Sequence, residues 1–310
     1  MYGSTGVIGT TDKPSYKGEI LLVARVGANA GYLQYVNGEF GVTDNTLVVN
    51  AHDNNRYIYY YLQHYNLNRL VFGSGQPLIT GGMLKKVPIG ISNDCAEKNK
   101  IVKLLSLLDA RIATQNKIIE DLKKLKVAIS NKLFELSNLV EYKISDVAQI
   151  GRGRVISTLE ISKQECPIYP VYSSQTSNNG IMGYLDTYDF EGEYITWTTD
   201  GANAGTVFYR NGKFNCTNVC GVLKVNDNID AYYLSIVLQS ATAKYVSTNL
   251  ANPKLMNNTM SSIRVNLPSL SEQRKWSYAL RKIDAKIENE ILASALLCKQ
   301  KQYLLQQMFI

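Results

Sequence analysis

Histidine is nearly absent from this chain: His52 and His64 are the only two in 310 residues. Chemistry built on imidazole therefore has little to work with. Cysteine is sparse, scattered and odd in number (Cys95, Cys166, Cys216, Cys220, Cys298), which excludes a disulfide framework as the basis of the fold. No apolar run reaches the roughly 18 residues that would predict a membrane-spanning helix. The opening residues, MYGSTGVIGTTDKPSYKGE, lack the basic start and apolar stretch of a secretory signal, so a cytoplasmic location is the expectation. What is present is an ordinary globular balance, 45% hydrophobic and 19% charged, which excludes disorder as the main state. The length suggests about two domains. A net charge of +7 permits an acidic partner such as nucleic acid without requiring one.

The chain repeats itself, and a repeat this long signals duplicated domains rather than a solenoid. Residues 18–51 (GEILLVARVGANAGYLQYVNGEFGVTDNTLVVNA) align without a gap on 192–225 (GEYITWTTDGANAGTVFYRNGKFNCTNVCGVLKV), with 13 of 34 positions identical. Gly27-Ala28-Asn29-Ala30-Gly31 recurs as Gly201-Ala202-Asn203-Ala204-Gly205. Further on, Asp109-Ala110-Arg111-Ile112 meets Asp284-Ala285-Lys286-Ile287, and Glu97, Lys100 and Phe134 meet Glu272, Lys275 and Phe309. Residues 142–171 open the second copy, and nothing in the first copy corresponds to them. The first unit is thus expected to be about thirty residues short.

Each copy reads as a β-rich unit followed by one long helix. GEILLVARV and GEYITWTTD are apolar, β-branched and bounded by glycine, as strands are. The Gly-Ala-Asn-Ala-Gly segment reads as a tight inter-strand connection. Asn-Gly at 37–38 and at 211–212 predicts hairpin turns. Residues 57–65 and 230–239 read as helices. From 97 to about 138 there is neither Pro nor Gly, and Ile101, Leu105, Leu108, Ile112, Ile119 and Leu122 keep a four-and-three spacing. A second such stripe, with Trp276, Leu280, Ile283, Ile287, Ile291, Leu297, Leu304 and Met308, runs from Ser271 onward. Stripes so long and narrow predict that the two helices pair as an antiparallel coiled coil, rather than each folding back on its own β unit. The fold class is therefore α+β. The boundaries are 1–92 for a first β-rich unit lacking its start, 93–141 for a central helix, 142–268 for the second unit and 269–310 for the C-terminal helix. The stretches 97–141 and 271–310 each carry +3, leaving only +1 for the rest, so the basic excess lies on the helices.

Catalysis finds little support. Neither histidine has a counterpart in the second copy, so no His-based triad or metal site can be the duplicated function. Cys216 and Cys220 are placed on one strand, and their first-copy counterparts are Val42 and Thr46, which favours packing over zinc. Gly-Ala-Asn-Ala-Gly is neither a dinucleotide fingerprint nor a Walker loop. Binding fits better. Loops at 72–82, 172–179 and 248–258 are rich in Asn, Gln, Ser, Thr and Lys, types that read base edges and hold phosphates.

Together, these features resemble the specificity subunit of type I restriction–modification systems. The resemblance rests on the duplicated order of unit and helix. It rests also on the Gly-acid-apolar run ending in Gly-x-Asn-x-Gly, here at 18–31 and 192–205. The third match is the helix entry Leu267-Pro268-Ser269-Leu270-Ser271-Glu272-Gln273-Arg274. The first copy departs from that entry, having Ile89-Gly90-Ile91-Ser92 in its place. The resemblance implies that each unit is a target-recognition domain reading one half of a split double-stranded DNA site. It implies that the helices set the unread spacer and dock adenine methyltransferase subunits, which carry S-adenosylmethionine and methylate the DNA, with restriction subunits as further partners. The chain itself would then be non-catalytic, with no cofactor or metal of its own, and phage defence would be its role. A scaffold of two β-rich binding domains on a coiled coil is the alternative, and sequence-selective, salt-sensitive DNA binding separates the two.

The residues expected to contact DNA follow from loop position and side-chain type. In the second unit they are Ser174, Gln175, Asn178, Asn179, Asn257 and Asn258 for bases, and Arg152, Arg154, Lys244 and Lys254 for phosphates. In the first unit they are Ser4, Thr5, Arg25, Ser74 and Gln76.

Overall fold

The computed structural model describes residues 1–73, 75–133, 138–247 and 252–309. It divides into two compact units, Met1–Glu120 with Glu288–Ile310, and Asp121–Ile287. The long helices Cys95–Lys132 and Leu270–Met308 each contribute to both units, instead of standing apart from them as the sequence boundaries had it. The boundary at 141/142 also falls inside a strand, Val140–Lys143, which pairs with Arg264–Leu267. Among the described residues no helix is long and apolar enough to cross a membrane.

In the second unit the sheet has six strands, ordered Ile181–Leu185, Tyr169–Tyr172, Val207–Cys216, Phe190–Thr198, Cys220–Val225, Ala148–Arg152. All neighbours run antiparallel except Tyr169–Tyr172 beside Val207–Cys216. Alternation along the strands places Ile195, Trp197 and Leu223 in one core, against the helix Ala231–Ala241. Phe214, Cys216, Cys220 and Val222 form a second cluster with Tyr172, Phe190 and Tyr194. The helix starts where it does because Asp230 caps it, its carboxylate accepting from the Tyr233 N–H at 2.8 Å.

The first unit repeats the centre of this sheet with three strands, ordered Leu33–Val36, Ile20–Ala24, Thr46–Val49. Ile20–Ala24 is buried along its whole length, because Leu21 and Val23 face one cluster while Ile20 and Leu22 face another. The helix Asn55–Tyr65 lies in the place of Ala231–Ala241. Tyr2 pairs with Val42 as Tyr172 pairs with Cys216, so the short hairpin of Tyr2–Gly3 and Gly6–Val7 stands where Tyr169–Leu185 stands in the second unit.

Two turn assignments need correction. Asn37–Gly38 and Asn211–Gly212 are not hairpin turns. Gly192 pairs with Gly212 in mid-ladder, and Gly18 exchanges both main-chain hydrogen bonds with Gly38 in the same way. All four glycines have φ between +98° and +116°. Only glycine enters that region without strain, so both strands bend sharply at one rung and the ribbon coils. The true turn is Gly-Ala-Asn-Ala-Gly. In each copy the second alanine N–H donates to the first glycine carbonyl at 2.9 Å, and the last glycine N–H returns to the strand (Ala24 or Thr198) at 2.8 Å. Cys216 and Cys220 likewise end one strand and begin the next, across a tight turn closed by the Cys220 N–H on the Thr217 carbonyl.

The two long helices run antiparallel within each unit. In the first, Asp109 meets Lys301 and Asn116 meets Ser294; in the second, Lys126 meets Asp284. Asp94 caps the central helix, and Ser269, not Ser271, caps the C-terminal one.

Candidate DNA-recognition surface

Because the ribbon coils, the sheet of the second unit closes on itself. The Arg154 N–H reaches the Cys216 carbonyl at 3.1 Å, bridging the edge strand back to the far end of Val207–Cys216. Main-chain bonds then gather five segments at one rim. Thr217 N–H donates to Tyr172 O (2.8 Å), Thr199 N–H to Val219 O (3.1 Å) and Leu255 N–H to Thr199 O (2.9 Å). The Asn257 amide donates to Gly151 O (3.3 Å), completing the circuit.

Most of the second unit's sequence-selected residues meet on this rim. The 173–180 loop presents Asn178 and Asn179, both exposed and both in left-handed conformation (φ 48° and 53°), which asparagine tolerates. Ser174 is half-buried beside them. Gln175 is committed to the loop itself, its amide donating to the Ile181 carbonyl. Arg152 and Asn258 are exposed, while Asn257 is half-buried. Lys254 lies 3.5 Å from Asp200 at the edge of the Gly-Ala-Asn-Ala-Gly turn.

Two expectations are placed differently. Arg154 grips Glu160 through two hydrogen bonds (2.6 and 3.1 Å) and reaches Asp189 at 3.1 Å, so two carboxylates already hold the charge that a phosphate would use. The hydrogen bond from Arg154 holds the Glu160 carboxyl below the usual carboxylate range. Lys244 is exposed but away from the rim, in a cavity with Arg264 and Asn266.

In the first unit, Ser4 and Thr5 form the turn of the N-terminal hairpin, and the Ser4 hydroxyl reaches the Asn45 carbonyl at 3.5 Å. Arg25 is exposed, and its N–H donates to the same carbonyl at 2.9 Å. Gln76 is exposed just before Pro77, whose carbonyl accepts from Gly27 N–H at 2.8 Å. These four share one rim. Ser74 lies outside the described residues.

Sequence reasoning missed the groups that hold these surfaces. Arg210 is 3% exposed, and among the described residues it makes no ion pair. Its guanidinium stacks 3.5 Å from the Tyr172 ring centroid, donates to the Asn179 carbonyl at 2.9 Å and reaches Thr196 Oγ1 at 3.2 Å. Burial pushes its pKa down. Arg210 thus clamps the 173–180 loop from below. Trp197 acts similarly on the other side, its indole N–H donating to the Leu255 carbonyl at 2.9 Å.

A second missed constellation is duplicated. Asp109 accepts from Tyr60 at 2.9 Å and from Lys301 at 2.5 Å. Asp284 accepts from the Tyr232 hydroxyl and from Lys126 at 2.6 and 2.8 Å. Burial, reinforced by these carboxylates, raises both tyrosine pKa values. Each Tyr–Asp–Lys cluster ties the sheet-packed helix of a β unit (Asn55–Tyr65 or Ala231–Ala241) to both long helices and sets their register. Lys126 and Lys301 lie 175 residues apart, as do Asp109 and Asp284, and that shared offset was the available signal.

The comparisons with known proteins agree with this architecture. The chain matches the family described as "Type I restriction modification DNA specificity domain" over residues 1–124 and again over 137–296. It is 51% identical over 135 residues to a Mycoplasma pneumoniae protein named "Putative type I specificity subunit S.MpnORF289P N-terminus", covering 43% of this chain and 72% of that one. It is 44% identical over 135 residues to the type I restriction enzyme MpnII specificity subunit of the same organism, covering 43% of this chain and 40% of the relative. The crystal structure of a type I restriction–modification S subunit from M. genitalium superposes with a TM-score of 0.74 at 20% identity, over 99% of this chain and 87% of that one. That likeness is one of fold. With the doubled family match, the duplicated rims and the paired helices, the chain belongs to the family of type I restriction–modification DNA specificity subunits.

Proposed function

We propose that each unit reads one half of a bipartite double-stranded DNA site with its rim, and that the paired helices set the unread spacer and dock adenine methyltransferase subunits. The observation that carries this reading is the combination of a shared frame with divergent side chains. Three of the second rim's main-chain bonds recur in the first unit (Thr43 N–H to Tyr2 O, Arg25 N–H to Asn45 O, Ile79 N–H to Arg25 O), yet Arg25 stands where Thr199 stands, and the Val26–Leu78 bridge is Asp200–Lys254 in the second unit. One scaffold with two sets of reading groups suits two different half-sites. Asn178, Asn179 and Asn258 supply amides able to pair with adenine edges, and Arg152 and Lys254 supply phosphate contacts. In the first unit Ser4, Thr5, Arg25 and Gln76 serve the second half-site. The chain contributes recognition and no catalysis. S-adenosylmethionine belongs to the methyltransferase subunits, and restriction subunits join the same assembly.

The test is methylome sequencing of a host carrying the chain and its modification subunits. A split, asymmetric motif is the expected product. Asn179→Ala should relax one position of one half, at a cost of about 1–3 kcal/mol in discrimination. Arg152→Ala should weaken all sequences alike and lower the salt slope by about 1. Changes in both halves from second-unit substitutions, or methylation without sequence preference, would refute the assignment.

A further inference from the structure

Phosphates repel carboxylates, so an acidic side chain on a surface that meets DNA calls for a positive reason. Across the rim segments of the second unit (151–152, 172–180, 199–200, 217–219 and 254–258), Asp200 is the single acidic residue. It is not needed to hold the rim together. Main-chain bonds already clasp the segment beside it, Gly201 N–H donating to Pro253 O at 3.0 Å and Leu255 N–H to Thr199 O at 2.9 Å. Nor is its carboxylate free to swing. The Thr199 hydroxyl, on a residue 0% exposed, donates to Oδ2 at 2.5 Å, and Lys254 Nζ lies 3.5 Å from Oδ1. The Asp200 side chain itself is 24% exposed. A carboxylate offers about four lone-pair sites on its two oxygens, so these two contacts leave acceptor capacity on a fixed, partly exposed group.

We infer that Asp200 is a specificity-determining residue that reads a cytosine in the half-site of the second unit, an inference that rests on the recognition function proposed above. A carboxylate only accepts, so in the major groove it pairs with an exocyclic amino group, N4 of cytosine or N6 of adenine. Adenine presents the N7 acceptor beside N6, which suits an amide and repels a carboxylate. Cytosine presents N4 with no acceptor on its own major-groove edge. The asparagine amides of the rim and the Asp200 carboxylate therefore select different bases. Lys254 offsets the Asp200 charge against the neighbouring phosphates. Its Nζ carries three N–H donors, and those not aimed at Asp200 remain for the phosphate contact. In the first unit Val26 and Leu78 form the bridge that Asp200 and Lys254 form here, so that half-site has no equivalent cytosine reader.

The experiment compares methylomes of hosts carrying the modification subunits with either the parent chain or Asp200→Asn. The half read by the second unit is the one that Asn179→Ala alters. That half of the parent motif should contain a C·G pair. Asp200→Asn should make its cytosine position tolerate adenine, because an amide pairs with N6 and N7 together, and preference for cytosine there should fall at least about fivefold. The other half should not change. A second measurement perturbs the DNA instead. The assembled complex binds duplexes in which each cytosine of that half in turn is replaced by pyrimidin-2-one, which lacks the N4 amino group. At one position this loss should weaken the parent complex at least about fivefold more than the Asp200→Ala complex. A second-unit half without a C·G pair overturns the inference, as does an unchanged motif in Asp200→Asn. Relaxation at an A·T pair or in the other half overturns it too, and so do equal losses in the two complexes at every cytosine. Each of these results leaves a split motif in the parent and the recognition function standing. A parent chain with no split motif would sink that function and this inference with it.

Discussion

Trp197 and Gly221 sit directly opposite one another on neighbouring strands, and the same rung in the first unit is filled by Val23 and Leu47. The two units thus solve one packing problem in two ways, very large against nothing and medium against medium. A Cβ on Gly221 would lie 2.1–2.2 Å from three atoms of the indole, a distance no relaxation of a 0%-exposed ring can absorb in place. Gly221→Leu alone should therefore destabilise the second unit by about 3 kcal/mol or more. Trp197→Val alone leaves a cavity and should cost about 3–5 kcal/mol. The double substitution transplants the first unit's pair and should recover most of both losses. The remaining deficit is about 1–2 kcal/mol, from the Leu255 carbonyl that the indole N–H no longer meets. The assay is a double-mutant cycle by urea unfolding of the full chain, with hydrogen exchange assigning the transition to the second unit. Additive losses would refute the argument, as would a Gly221→Leu variant within about 1 kcal/mol of the parent.

Asp284→Asn removes the charged acceptor shared by Lys126 and Tyr232, and Asp109→Asn does the same for Lys301 and Tyr60. Thermal unfolding should show comparable losses of about 1–3 kcal/mol for each, and a silent variant would sever the link between the clusters and helix register. Arg210→Lys keeps the charge but loses the planar fork that reaches both Asn179 and Thr196. Hydrogen exchange in 173–180 should quicken, with methylation altered at one half-site only. The Glu160 carboxyl titrates below its ordinary value because of Arg154. Its contribution to stability is therefore present above the usual carboxylate pKa and lost as pH falls through the lower folded value. An NMR titration of Arg154→Gln should move that carboxyl up toward the ordinary range, and an unmoved midpoint would contradict the assignment.

Much of the architecture was legible because duplication is a property of sequence. The identical Gly-Ala-Asn-Ala-Gly turns and the two long stripes were both legible in the chain without coordinates. Asn-Gly misled because the pair usually marks a two-residue turn. Here the glycine serves a bend in mid-ladder opposite a second glycine 20 residues away. Arg154 looked like a free cation because no sequence pattern announces its bonds to Glu160, six residues on, and to Asp189, 35 residues on. Arg210 looked like an ordinary strand residue because nothing local announces that its guanidinium will be buried under Tyr172.

The sequence by itself determined the repeat, the fold class and the family, since periodicity, strand composition and internal identity survive without coordinates. Only the tertiary structure decided which loops share a rim and which cations remain available to a phosphate. It alone paired each Asp with its Tyr and Lys. The physical reason is range. Propensity and pattern act over a few residues along the chain. Closure of a coiled sheet, burial of a guanidinium and completion of a strand ladder depend on partners tens to hundreds of residues away, and folding alone brings them together.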